Sequence, residues 1–182
     1  MKFLLIALLL ASPAFAQDKP VPTFPATAPG CGSFRVKFVV KREKGQHPLA
    51  DPASGKALVY FIQDDSQYQA TPPAPTIRAG LDGTWVGATH GSSYFYVSVD
   101  PGVHHVCVSQ QGIGRASVNT AAAHFVAKAG ESYFFRVKDI FLLGGTAQVA
   151  VPSEKFEFGG IDSDEGQLLA SEFPVATSRA KN

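Results

Sequence analysis

From Val36 to Phe158 the sequence repeatedly offers four to eight residues suited to a β-strand and then breaks them with turn formers. Phe34, Val36, Phe38 and Val40 alternate with Arg35 and Lys37, the period of a strand with one buried face. Ala57–Ile62 is a continuous apolar run, the pattern of a central strand. A polar, Pro-rich loop over 64–75 follows, and then Thr76–Leu81 and Thr84–Thr89 flank Asp82-Gly83. Tyr94–Val99 and Val103–Ser109 flank Asp100-Pro101-Gly102, and Ala122–Ala127 and Ser132–Lys138 flank Lys128–Glu131. Val149–Val151 and Lys155–Phe158 are weaker strand candidates. Only 164–172 reads as a helix, with an acidic start that suits a helix N-terminus. Strands this short, with turns this regular, predict an all-β fold: an antiparallel β-sandwich, immunoglobulin-like or prealbumin-like, with one short C-terminal helix.

The turns also predict registers. Asp-Gly between two strand-like runs is a strong hairpin signal. A two-residue loop there pairs Leu81 with Thr84, Gly80 with Trp85, Ala79 with Val86 and Arg78 with Gly87. Ile77, Ala79, Leu81, Thr84, Val86 and Ala88 then form the core face. Arg78, Gly80, Trp85 and Gly87 form the other, so the sole tryptophan points away from the core. In a second hairpin, Pro101 and Gly102 suit a type II turn. That register groups Phe95, Val97, Val99, His104, Val106 and Val108, leaving Tyr94, Tyr96, Ser98, His105 and Cys107 opposite. A three-residue loop would instead put Val103, His105 and Cys107 with the Phe95 face, because a one-residue slip reverses every side chain. Lys128–Glu131 closes a third expected hairpin.

At the start of the chain, Lys2, the apolar run Phe3–Leu10 and the small residues Ala14 and Ala16 form a secretory signal cleaved before Gln17. The apolar run is far shorter than the ~20 residues a spanning helix needs. Residues 17–30 hold Pro20, Pro22, Pro25 and Pro29 and read as an extended tether. A single domain is expected over 31–176, with a flexible tail over 177–182. No long apolar stretch follows the leader, so no membrane span is expected after cleavage. Removing Lys2 with the leader leaves 15 Lys and Arg against 15 Asp and Glu. A neutral chain without basic clusters gives no electrostatic case for nucleic acid or an anionic membrane. Two cysteines remain, Cys31 and Cys107. In an oxidising compartment an even pair favours a disulfide over two separate thiols, with a chain-entropy ceiling of about 4 kcal/mol.

Motifs that carry chemistry are sparse. His104 and His105 are neighbours on a strand and point to opposite faces, so they cannot share one ion. His47, His90 and His124 lie in separate segments without ligand spacing, and no metal and no cofactor is expected. Asp162, Asp164 and Glu165 resemble the opening of a calcium loop, but the later ligands are missing, which leaves helix capping. There is no Cys-x-x-Cys and no G-x-S-x-G. No catalytic residue is assigned. The candidate binding surface is Trp85 with Arg78 as its diagonal neighbour, extended by Tyr94 and Tyr96. The structural reading of the same residues is favoured over recognition: an aromatic over a cross-strand glycine shields that strand's backbone, or the C-terminal segment covers this face.

Several segments taken together resemble a known family. They are Gly55–Phe61, Thr76–Arg78, Leu81–Ala88, Ser93–Tyr96, Asp100–Cys107, Ala129–Phe135 and Asp162–Gly166. In this order, over Cys31–Phe173, they resemble a bacterial family of exported proteins catalogued as domain of unknown function 2846. The resemblance implies a bacterial, cell-envelope, β-rich domain and carries no activity. Many relatives look like lipoproteins, whereas no lipid-attachment cysteine directly follows this leader. The expected function is therefore that of an exported, periplasmic or extracellular, non-catalytic domain. It would act as a binding or structural accessory to an unknown envelope protein, peptide or glycan. The alternative is a small hydrolase or metal-dependent enzyme on a β scaffold, which would need His90, His105 or His124 to meet carboxylates from distant segments.

Overall fold

In a computed structural model of the chain, residues 31–33, 35–45, 48–68, 74–111, 119–146 and 149–181 are described. The expected leader over 1–16 and tether over 17–30 lie outside them, as do Phe34 and His47. The elements are β1 (Lys37–Arg42), β2 (Ala57–Gln63), β3 (Thr76–Leu81), β4 (Thr84–His90), β5 (Ser93–Val99), β6 (Gly102–Gln111), β7 (Thr120–Ala127), β8 (Ser132–Thr146), β9 (Val149–Ile161), α1 (Ser163–Glu172) and β10 (Ala176–Lys181). Two four-stranded sheets, β5-β2-β8-β9 and β4-β3-β6-β7, face each other, and β1 and β10 form a separate two-stranded ribbon. The fold is an all-β sandwich with one short helix near its C-terminus. It is not purely antiparallel, because β2 runs parallel to β8.

Alternation explains the layers. Ala57, Val59 and Phe61 on β2 point between the sheets with Phe95, Val106, Val108, Phe135 and Val137. Each of the valine and phenylalanine side chains among these, when fully buried, contributes about 1.5–3 kcal/mol. Leu58, Tyr60 and Ile62 point the other way, into a second cluster with Tyr94 and Phe134 under Ala170 and Leu169 of α1. Both faces of β2 are therefore covered, which is why its sequence is an unbroken apolar run.

The β3–β4 hairpin forms on Asp82 (φ 47°) and Gly83 (φ 84°), the two left-handed positions of a type I′ turn. Gly80 pairs with Trp85 and Leu81 with Thr84, as the two-residue loop requires. Beyond that, a register shift after Ala79 moves the pairing by one residue: Ala79 lies opposite Gly87 and Arg78 opposite Ala88. The shift corrects the expected Ala79–Val86 and Arg78–Gly87 pairs. It puts Gly87 across from the core residue Ala79, where a Cβ would come within 2.7 Å of the Phe95 ring.

The other two expected hairpins are not hairpins. β5 pairs with β2 and β6 with β3, so Asp100-Pro101-Gly102 carries the chain from one sheet to the other. β7 pairs with β6 and β8 with β2, so Lys128–Glu131 crosses back. The face assignments of the two-residue register survive, since Phe95, Val97, Val99, Val106 and Val108 all meet in the core. A residue facing the space between two sheets stays on that side whether its strand pairs within one sheet or hands over to the other. The weak strands at 149–151 and 155–158 belong to one long strand, β9, in an antiparallel ribbon with β8. The tail expected over 177–182 is instead strand β10 through Lys181, paired residue for residue with β1. At α1, the Asp162 carboxylate accepts from the Glu165 amide, the capping role expected for this acidic stretch.

Candidate functional site

Trp85 and Arg78 are neighbours on the outer face of the β4-β3-β6-β7 sheet, and the Arg78 guanidinium lies 4.7 Å from the Trp85 ring centre. The face is not open. Trp85 is only 9% exposed and Arg78 2%. The segment leading from Cys31 to β1 lies across them. Trp85 Nε1 donates to the Ser33 carbonyl at 2.8 Å, and Arg78 donates to the Val36 carbonyl at 2.9 Å and to Ser109 Oγ at 3.1 Å. Gly32 presses flat on the indole, where a Cβ would fall 2.7 Å from the ring and 2.9 Å from the Trp85 amide nitrogen. Cys31 is bonded to the buried Cys107 of β6, their Cα atoms 5.2 Å apart, which fastens this segment to the sheet. Trp85 is thus covered, not an exposed platform. The physical reason is that the indole, set opposite Gly80 on the outer face, leaves a flat apolar surface that the chain's own N-terminal segment seals.

Tyr94 and Tyr96 do not join Trp85. The sheet switch at 100–102 puts them on the outer face of the other sheet, across the sandwich. Tyr94 is 1% exposed, its amide bonded to the Pro174 carbonyl. Tyr96 is 42% exposed and its ring centre lies 5.2 Å from that of Tyr60. The Tyr60 hydroxyl donates to the Ala50 carbonyl and accepts from the Ala50 amide. Burial raises the pKa of both Tyr60 and Tyr94 above the ordinary phenol value, so both stay neutral.

The histidines divide by end and face. His90 closes β4 at one end of the sheet, its Nδ1 3.3 Å from Thr76 Oγ1. His104 and His105 lie at the opposite end, beside the Asp82-Gly83 turn. Asp82 binds both: Oδ2 is 2.6 Å from His104 Nδ1, and Oδ1 accepts from the His105 amide. Burial pushes the Asp82 carboxyl up, but the His105 amide and the His104 ring outweigh it and hold it below the usual range. Burial pushes the His104 imidazole down, but its bonds to Asp82 and the Asp100 carbonyl win and raise it. His105 faces outward and stands opposite His124 of β7, ring centres 6.3 Å apart. Among the described residues no group of three or more His, Cys, Asp or Glu is placed to hold a metal.

Sequence reasoning passed over a polar cluster at the His90 end. Gln63, fully buried at the end of β2, donates through Nε2 to both Asp65 carboxylate oxygens and to the Pro75 carbonyl. The Asp65 amide donates to Ser92 Oγ. Asp64, 5% exposed, meets Lys138 of β8 at 3.2 Å. Asp139, next along β8, is 1% exposed. Burial, opposed by the Gln63 hydrogen bonds, pushes the Asp65 carboxyl up to about 6. The signal was present: Gln-Asp-Asp closes an apolar run, and Lys-Asp interrupts another. Neither pattern says that the two runs are parallel neighbours.

Two clefts lie along β8 and β9. One, about 270 Å³, lies between β7 and β8–β9 and is lined by His124, Phe125, Tyr133 and Phe134 among others. The second, about 190 Å³, holds Arg136, Lys138 and Glu157 over Gly159. Arg136 is ion-paired with Glu165 of α1.

A family model described as protein of unknown function (DUF2846) matches residues 53–151, more than half of the chain. The chain belongs to this family. No curated protein and no solved structure matches it. The DUF2846 match runs from just before β2 to the start of β9. Trp85 and Arg78 fall inside it, while the segment that covers them, the β1–β10 ribbon and α1 fall outside. Among the described residues of this DUF2846 chain no helix is long and apolar enough to cross a membrane.

Proposed function

We propose that this DUF2846 chain is an exported cell-envelope domain that serves as a binding or structural accessory module rather than as a catalyst. The observation that carries the reading is the Cys31–Cys107 disulfide, which pins the N-terminal segment over Trp85. Such bonds persist in oxidising compartments and are rare in the cytosol. The leader ending in Ala14-Phe15-Ala16 agrees with that compartment. The residues that give the chain its family likeness also have structural tasks. Asp82 and Gly83 make a turn, Tyr60 and Tyr94 pack under α1, and Arg78 holds Trp85 and the covering segment. Its partner would be an envelope protein, peptide or glycan. The test is to express the full chain in a bacterium with a secretory envelope, fractionate it and weigh the product. The expected species lies outside the cytoplasm and begins at Gln17 with both thiols blocked. A cytoplasmic product that keeps Met1 would sink the proposal.

A further inference from the structure

On the outer face of the sheet, β6 and β7 place two histidines side by side. His105 and His124 are direct register partners. The His105 carbonyl accepts from the Asp82 amide, and the His105 amide donates to Asp82 Oδ1. Both main-chain groups of His105 therefore point toward the β3–β4 turn and away from β7. His105 and His124 are consequently a non-hydrogen-bonded antiparallel pair, the kind whose side chains stand closest. Their ring centres are 6.3 Å apart, with the planes tilted by 39°.

We propose that His105 and His124 form a two-imidazole site for a late first-row divalent cation, with copper(II) the tightest. An ion bound at 2.0–2.1 Å by one nitrogen of each ring would lie about 3.2 Å from each ring centre. Ring centres between about 4.5 Å, for cis ligands of a square-planar ion, and about 6.4 Å, for trans ligands, then fit a shared ion. The observed separation falls inside that span, close to its trans limit. Imidazole suits copper, nickel and zinc, and among these divalent ions copper heads the affinity order. Two protein ligands leave the remaining coordination positions to water or to a ligand group from outside. On this face Val103 stands opposite Val126, both exposed, and Ala122 opposite Cys107. The Asp82 carboxylate stays with His104 and the His105 amide. This pairing separates the two histidines from the sequence-level expectation of no metal, because 105 and 124 are distant in the chain and only the β6–β7 register brings them together. The site depends on that register and not on the compartment in which the chain works.

The test is calorimetric titration of the untagged mature protein with copper(II) at pH 7.5, with electron paramagnetic resonance of the loaded sample. The expected result is one copper per chain with a spectrum of nitrogen coordination. H124A, at an exposed position, should fold normally and weaken binding tenfold or more. H105A should do the same, and H90A, at the far end of the sheet, should bind like the parent. Binding that survives H124A, or no saturable binding at 100-fold molar excess of copper, overturns the proposal.

Discussion

Asp65 is the residue whose protonation bears most directly on stability. It sits where β2 leaves the sandwich, and burial raises its carboxyl to about 6. Asp64 adds to the rise through its charge, while Gln63 and Arg42 oppose it. In the unfolded chain the same group titrates near 3.9. The folded state therefore binds this proton more tightly, and its contribution to stability is lost as pH rises from about 4 to about 6. A shift of about two units sets a ceiling of about 3 kcal/mol. D65N keeps a carbonyl oxygen for Gln63 and removes the charge. Urea unfolding at pH 4, 5, 6 and 7 should show the variant nearly equal to the parent at pH 4 and about 1–3 kcal/mol more stable at pH 7. Parallel curves for the two proteins would refute this. Asp64 next door has the opposite sign. Burial pushes it up, but Ser66 and Lys138 outweigh that and hold it below the ordinary value. Its contribution is present at neutral pH and is lost on acidification. One neighbour is held by an ammonium and the other is not, a distinction invisible in the dipeptide Asp-Asp.

At the scale of elements, the strands were legible and their partners were not. The alternation of Phe38, Val40, Phe95, Val97, Val106 and Val108 located strands and faces, because burial on one side of a pleat imposes period two. Only the tightest connection, Asp82-Gly83, also fixed its strand partner and the two pairs beside the turn, Leu81–Thr84 and Gly80–Trp85, while a bulge beyond Gly80 shifted the rest. Around Pro101-Gly102 and Lys128–Glu131 the same turn chemistry serves a crossing between sheets. The C-terminal strand gave least away. Ala-Thr-Ser-Arg-Ala-Lys has neither apolar period nor turn signal, and β10 exists because β1 and β4 offer it unpaired backbone. It pairs with β1 throughout, and the Ala88 amide donates to Ser178 Oγ. Deleting 176–182 should therefore destabilise the domain. At about 1 kcal/mol for each hydrogen bond lost, the loss should amount to several kcal/mol and appear as a lower urea midpoint. An unchanged midpoint would mean that the segment is a free tail after all.

For the whole molecule, the disulfide is the tie between the N-terminal segment and the middle of the sheet, 76 residues apart in sequence. Closing a loop of that length is worth up to about 4.5 kcal/mol in the chain-entropy model. Reduction, or C31S with C107S, should lower stability by up to that amount. It should also redden the fluorescence of Trp85, the sole tryptophan, as the cover over it loosens. Unaltered emission and stability would show that Gly32, Ser33 and Val36 hold the cover without the bond. The candidate surface divides in the same way. That Trp85, Arg78, Tyr94 and Tyr96 lie off the central core was readable from alternation. Their separation onto opposite sides of the sandwich, and the sealing of all but Tyr96, were not. The sequence by itself determined the β class, the one helix with its acidic cap, the family likeness and the faces of most strands, because these follow from local periodicity and turn chemistry. Tertiary structure alone decided which strands are neighbours, which outer faces are covered and that His105 meets His124. Those outcomes depend on contacts between segments far apart in the chain, whose energies no local pattern encodes.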